Sequence, residues 1–145
     1  SDGQLSVEVL SQSVQLPRFS ERRALGLAPR RVALIREVLL FGRGVPWVYA
    51  RSVIPMQTLT GRLRKLRHLD NRPLGALLFS DPTMSREALE WACIPADKSS
   101  SLNSNLPPYN QPIWGRRSVF KLSDKPLLVC EMFLPGFKPD EQAIK

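Results

Sequence analysis

Three ionisable side chains fall inside runs that are otherwise apolar. Arg36 interrupts Val32-Ala33-Leu34-Ile35-Arg36-Glu37-Val38-Leu39-Leu40, Arg51 follows Trp47-Val48-Tyr49-Ala50, and Glu131 interrupts Pro126-Leu127-Leu128-Val129-Cys130-Glu131-Met132-Phe133-Leu134. Side chains of a strand alternate between faces. Val32, Leu34, Arg36, Val38 and Leu40 therefore share a face, as do Trp47, Tyr49, Arg51 and Val53, while Glu131 goes with Leu127, Val129 and Phe133. A charge among such neighbours is costly unless paired. The planar fork of arginine suits a carboxylate, often through two parallel N–H donors. The pattern points to recognition of an organic anion, or to a structural ion pair between Glu131 and one arginine.

Gly42-Arg43-Gly44-Val45 is a strong turn signal. A hairpin centred between Arg43 and Gly44 sets Leu40 opposite Trp47, Val38 opposite Tyr49, Leu34 opposite Val53 and Arg36 opposite Arg51. Like charges in direct register repel, so that pair requires an anion nearby, either a carboxylate of the chain or a bound ligand. Two arginines against one Glu131 leave a surplus positive charge, which favours a ligand. The turn sets this register, and a slip of one residue sends the two arginines to opposite faces. Glu37 lies on the face away from Arg36 and reads as solvated or surface-paired.

The elements that must position these groups follow from patterning. A strand is expected near Gln4–Leu10, continuing irregularly to Leu16, then a polar, proline-containing stretch from Pro17 to Pro29. Arg31–Phe41 and Trp47–Ile54 read as the first hairpin. Leu59, Leu63, Leu66 and Leu69 recur at helical spacing beneath Arg62, Arg64, Lys65 and Arg67, predicting an amphipathic helix with a basic outer face. Pro73–Phe79 and Met84–Cys93 read as further helices, the first with proline in its opening turn. Arg117–Leu122 and Leu127–Leu134 form a second hairpin around Ser123-Asp124-Lys125. The stretch from Ile94 to Ile113 is rich in turn formers and is expected to be a long surface loop. Hairpin, helices, hairpin predicts an α+β fold, an antiparallel sheet with helices packed on one face.

Composition removes several classes of function. The chain has 145 residues, which fits one compact domain over 1–145. No apolar run is long enough to cross a bilayer as a helix, and Ser1–Gln4 has no signal-peptide character; the expectation is a cytoplasmic protein without stable membrane insertion. The two cysteines, Cys93 and Cys130, are expected to be reduced and buried. With no CxxC and a single histidine, His68, expected exposed, a structural zinc site is not supported. Ser/His/Asp sets, P-loops and GxGxxG motifs are absent. The net charge of +8 admits nucleic acid, a membrane surface or a small anion. Aromatics are not interleaved with the basic run, which counts against nucleic acid.

The residues singled out sit in segments that resemble the bacterial chorismate lyase family. The matching pieces are Leu34-Ile35-Arg36-Glu37-Val38-Leu39-Leu40, Pro46-Trp47, Ala50-Arg51-Ser52-Val53-Ile54-Pro55, Arg72-Pro73-Leu74-Gly75-Ala76-Leu77-Leu78-Phe79, Trp114-Gly115-Arg116-Arg117-Ser118, and the run from Lys125 to Pro135. They occur in family order and cover most of the chain after Arg31. The resemblance implies a six-stranded antiparallel sheet with helices and an internal ligand pocket. It implies conversion of chorismate to 4-hydroxybenzoate and pyruvate, an early step of ubiquinone biosynthesis, with no cofactor and no metal, by a monomer prone to product inhibition. Carried over by position, ligand binding falls on Arg36, Leu74, Glu131 and Arg51, and catalysis on Glu131 and Arg51. The chain departs from the family in starting almost at the first strand, with Ser1-Asp2-Gly3 expected to be the remnant of a ligand-contacting segment, and in the length of the Ile94–Ile113 loop. Two rivals are a non-catalytic carboxylate-binding sensor of the same fold and a nucleic-acid-binding module.

Overall fold

A computed structural model describes residues 5–94 and 111–135. The elements are β1 (Leu5–Gln15), α1 (Phe19–Leu25), β2 (Ala33–Gly42), β3 (Val45–Pro55), two 3-10 segments (Met56–Thr58 and Gly61–His68), α2 (Leu74–Ser80), β4 (Ser85–Arg86), β5 (Glu90–Ile94), β6 (Ile113–Leu122) and β7 (Lys125–Phe133). The strands form one seven-stranded antiparallel sheet in the order β1-β2-β3-β7-β6-β4, with β5 also pairing with β6. The α+β class and antiparallel sheet agree with expectation, with one strand more than the six expected.

Both hairpins turn on two left-handed residues, Arg43 and Gly44 in one and Ser123 and Asp124 in the other, the geometry that matches strand twist. The first turn is centred as the sequence suggests: Gly42 pairs with Val45 and Phe41 with Pro46. Beyond it the register steps by one, so that Leu40 pairs with Val48, Arg36 with Ser52 and Glu37 with Arg51. The extra residue is Trp47, accommodated as a bulge. A Cβ on Gly42 would stand 2.7 Å from carbons of the Trp47 indole, so only glycine allows that ring to lie there. The expected pairing of Arg36 with Arg51 is thereby corrected, and the two side chains point to opposite faces of the sheet.

Each face carries its own core. On one, Leu34, Ile54, Phe120, Leu122 and Leu127 pack against Leu59, Leu63, Leu66, Leu69, Leu74 and Leu78. The leucine stripe is buried as its spacing requires, but the segment is a 3-10 helix. Three residues per turn suit the interval shared by Leu63, Leu66 and Leu69. On the other face Leu25 of α1 packs on Ala33, Ile35, Val53, Val119 and Leu128. Helical segments therefore cover both faces, where the sequence suggested one. Each fully buried leucine contributes about 1.5–3 kcal/mol.

Helix α1 arises in the stretch from Pro17 to Pro29 that the sequence marked only as polar and proline-containing. Glu21 accepts the Arg18 backbone N–H at 2.8 Å, and Gly26 in the left-handed region ends the helix. The expected helix at Met84–Cys93 is instead β4 and β5. Trp91, Ala92 and Cys93 pair with Arg116, Gly115 and Trp114, and β6 supplies the ladder that favours the extended form. Of the Ile94–Ile113 stretch, residues 95–110 lie outside the described residues, as does Ser1-Asp2-Gly3. The two flanking isoleucines are strand partners.

Candidate active site

A cavity of about 200 Å³ lies between the sheet and α2. The floor is made by short side chains in the middle of the sheet. Ala50 and Ser52 of β3 line the cavity between Val38 and Arg36 of β2 and Glu131 and Val129 of β7. Leu74, Gly75 and Leu78 of α2 form part of the roof. A bulkier pair at Ala50 and Ser52 would fill this space, so the residue sizes on β3 create the cavity.

Two rows of cross-strand neighbours organise the polar groups. One runs Gln12, Arg36, Ser52, Val129, Ser118. The next runs Val38, Ala50, Glu131, Arg116. Arg36 and Glu131 thus stand two strands apart, about 10 Å in the hydrogen-bonding direction.

Arg36 is only 2% exposed. It donates through Nη1 to Gln12 Oε1 at 3.3 Å and through Nη2 to the Arg72 carbonyl at 3.0 Å. Both acceptors are uncharged, and among the described residues no carboxylate lies within ion-pair distance of it. Burial pulls the guanidinium below its ordinary pKa, with the charge of Asp70 opposing. A buried cation with neutral partners is energetically incomplete, and an organic carboxylate entering the cavity would complete it.

Glu131 Oε1 accepts from Arg116 Nε at 2.8 Å. Its partner is thus neither Arg36 nor Arg51, the two considered from sequence. Arg86 and Arg117 also line the cavity, bringing the arginines there to four against one glutamate. Arg117 is paired with Glu90 at 2.7 Å. Arg86 donates to Ser118 Oγ at 3.3 Å and stacks over Phe120 and Phe79. Neither Arg86 nor Arg116 stood out in the sequence. Both lie on strands, β4 and β6, whose pairing partners were needed to see which face they take.

Arg51 is placed elsewhere. Beneath α1, on the far face, its Nε and Nη2 grip the two oxygens of Glu21 at 2.7 and 3.1 Å, while Nη1 meets Glu37 at 3.4 Å. The Tyr49 hydroxyl donates to Glu37. Burial raises the pKa of Glu21, but the bonds from Arg51 and Arg18 outweigh it and the net shift is downward. Burial and the Glu37 carboxylate push the Tyr49 phenol up. Glu37 is consequently buried and paired below the surface, where the sequence suggested a solvated or surface-paired residue. Of the four sequence-expected site residues, Arg36, Leu74 and Glu131 share the cavity, and Arg51 does not line it. Cys93 is exposed, against expectation; Cys130 is partly buried, its thiol pushed up to about 11 chiefly by desolvation.

A family model described as chorismate lyase matches residues 1–139. The chain belongs to the chorismate lyase family. Among its relatives, each described as "Probable chorismate pyruvate-lyase", that of Aromatoleum aromaticum is 40% identical over 90% of this chain and 72% of its own length. Those of Marinobacter nauticus and Azoarcus sp. are 43% and 44% identical, over 89% and 92% of this chain and 63% and 74% of their own lengths. The fold extends further than the sequence likeness. The PhnF C-terminal domain superposes with a TM-score of 0.69 at 14% identity, covering 90% of this chain and 83% of that one. A GntR-family transcriptional regulator from Bacillus cereus gives 0.64 at 11% identity, covering 94% and 96%. Among the described residues no helix is long and apolar enough to cross a membrane.

Proposed function

We propose that this family member is a chorismate pyruvate-lyase that releases 4-hydroxybenzoate and pyruvate. The observation that carries the reading is Arg36, a buried guanidinium without a carboxylate partner among the described residues, lining one cavity with Glu131. Chorismate is a dianion whose ring carboxylate and ring hydroxyl lie at opposite ends of a six-membered ring. Arg36, with the main-chain N–H groups of Leu74 and Gly75, receives the carboxylate. Glu131 meets the hydroxyl, held in place by Arg116.

The reaction breaks the ether carbon–oxygen bond and removes hydrogen from the neighbouring hydroxyl-bearing carbon. The bonding electrons of the ether leave with oxygen, and the carbon–hydrogen electrons complete the aromatic ring. Aromatisation supplies the driving force, so neither cofactor nor metal is required. In one route Glu131 takes the proton, and the departing pyruvate enolate is protonated at its methylene carbon by water to give pyruvate. In the other the hydrogen passes directly to the enolpyruvyl methylene and Glu131 orients the substrate. Arg51 serves as a positioning residue in this scheme, fixing β3 from the opposite side.

The product feeds ubiquinone biosynthesis, and the enzyme works as a cytoplasmic single-domain monomer inhibited by 4-hydroxybenzoate. Incubation with chorismate, with 4-hydroxybenzoate followed by absorbance and pyruvate by a coupled assay, tests the activity. Equimolar release of both supports it. Binding of 4-hydroxybenzoate without turnover would select a carboxylate sensor instead.

A further inference from the structure

Chorismate has a second carboxylate, on the enolpyruvyl group, and the second arginine that the family resemblance assigns to ligand binding, Arg51, is engaged by Glu21 on the far side of the sheet. Of the four arginines lining the cavity, Arg116 is neutralised by Glu131 and Arg117 by Glu90. Arg36 and Arg86 remain with no carboxylate partner among the described residues. Arg86 stands directly across from Phe120, on the cavity face. Its guanidinium lies 5.1 Å from the Phe120 ring centroid and 5.9 Å from that of Phe79, and its Nε meets Ser118 Oγ at 3.3 Å. Two aromatic rings and a hydroxyl thus hold the fork in place with its charge unspent.

From this we infer that Arg86 is the anchor for the enolpyruvyl carboxylate, and that it selects a dicarboxylate over a monocarboxylate. The inference rests on the lyase reading of the cavity and deepens it. The two unpaired guanidiniums differ in depth: Arg36 is buried, while Arg86 is exposed at the edge of the sheet on the two-residue strand β4. A ligand spanning them places its ring carboxylate inside and its enolpyruvyl arm towards solvent. After cleavage the short acid lies nearer the exit, so pyruvate leaves before 4-hydroxybenzoate.

The test compares wild type with Arg86→Gln and Arg86→Lys, each checked for folding by thermal unfolding. Chorismate steady-state kinetics and 4-hydroxybenzoate binding are measured for all three. In Arg86→Gln the chorismate KM should rise about 10- to 100-fold, the scale of losing a charge-assisted pair. The 4-hydroxybenzoate Kd should move less than about threefold, since a factor of three is under 1 kcal/mol. Arg86→Lys should recover part of the loss. Unchanged KM, or equal weakening of both ligands, overturns the Arg86 assignment while leaving the lyase reading intact. A wild type inert towards chorismate overturns both. If Arg86→Gln loses stability, the ratio of chorismate KM to 4-hydroxybenzoate Kd in the folded Arg86→Lys protein decides: a ratio equal to that of wild type overturns the assignment.

Discussion

Arg36 and Arg51 lie on paired strands yet face opposite sides of the sheet, because the ladder steps past Trp47 before reaching them. One side of β3 therefore faces a cavity that is short of negative charge, and the other carries a saturated ion network.

Replacing Arg36 by methionine should separate binding from stability. Loss of a buried hydrogen-bonded charge partner costs a bound carboxylate about 2–5 kcal/mol. The free protein should be as stable as wild type or more so, since a desolvated cation is removed. Calorimetric titration with 4-hydroxybenzoate and denaturant unfolding measure the two effects. Unaltered affinity would show that the ring carboxylate lies elsewhere.

Arg51→Ala should behave in the opposite sense. It removes the cation that grips Glu21 and meets Glu37, at about 3–5 kcal/mol of stability. The apolar double variant Arg51→Met with Glu21→Leu should recover much of this and bind 4-hydroxybenzoate nearly as wild type does. A double variant that folds but has lost the ligand would bring Arg51 back into direct contact.

Acid should loosen the same network. The folded pKa of Glu21 lies below the ordinary value of 4.5, so its contribution is complete above that pH and is lost as pH falls below it, where the unfolded chain takes up the proton first. Unfolding free energies measured between neutral and acid pH should decline less steeply for Glu21→Gln than for wild type. Parallel curves would mean that Glu21 contributes nothing to the acid slope.

Glu131→Gln tests the chemistry. If Glu131 takes the ring proton, the single-turnover rate should fall about 10²- to 10⁴-fold. Near-normal turnover would assign the hydrogen to the enolpyruvyl methylene. Because the amide keeps the size and the hydroxyl contact, 4-hydroxybenzoate affinity serves as the control for pocket integrity.

Gly42→Ala probes the bulge. The added carbon meets the Trp47 ring at 2.7 Å, and overpacking of this kind costs about 1–3 kcal/mol. Trp47 fluorescence and urea unfolding should both change. A silent substitution would mean that the ring can vacate its place at no cost.

Residue pattern alone exposed much of this arrangement. Alternation located β2, β3, β6 and β7, and both turns carry residues that tolerate the left-handed region. The leucine interval marked a buried stripe but did not fix its pitch, since three-residue and mixed spacings overlap over so short a run. Arg36 and Glu131 stood out because each breaks an apolar run. The face of Arg51 was misjudged because a bulge is one residue's decision, made by the fit of Trp47 over Gly42, and strand patterns count in twos. Helix α1 escaped notice because its stability comes from Glu21 and Leu25 docking on a sheet formed by distant segments. Arg86 could not be distinguished from surface arginines until β6 was seen to place Phe120 beside it. Met84–Cys93 reads as a helix from its own residues, and pairing with β6 overrides that local preference.

Strand β3 is a party wall. Ala50 and Ser52 leave room on one side, and the residue between them is bolted to a helix on the other. An attempt to enlarge the chamber for a bulkier acid by shifting this strand would therefore tug at the helix mounting behind it. Redesign of ligand preference is better directed at α2 and β4, which border the same chamber without sharing that brickwork.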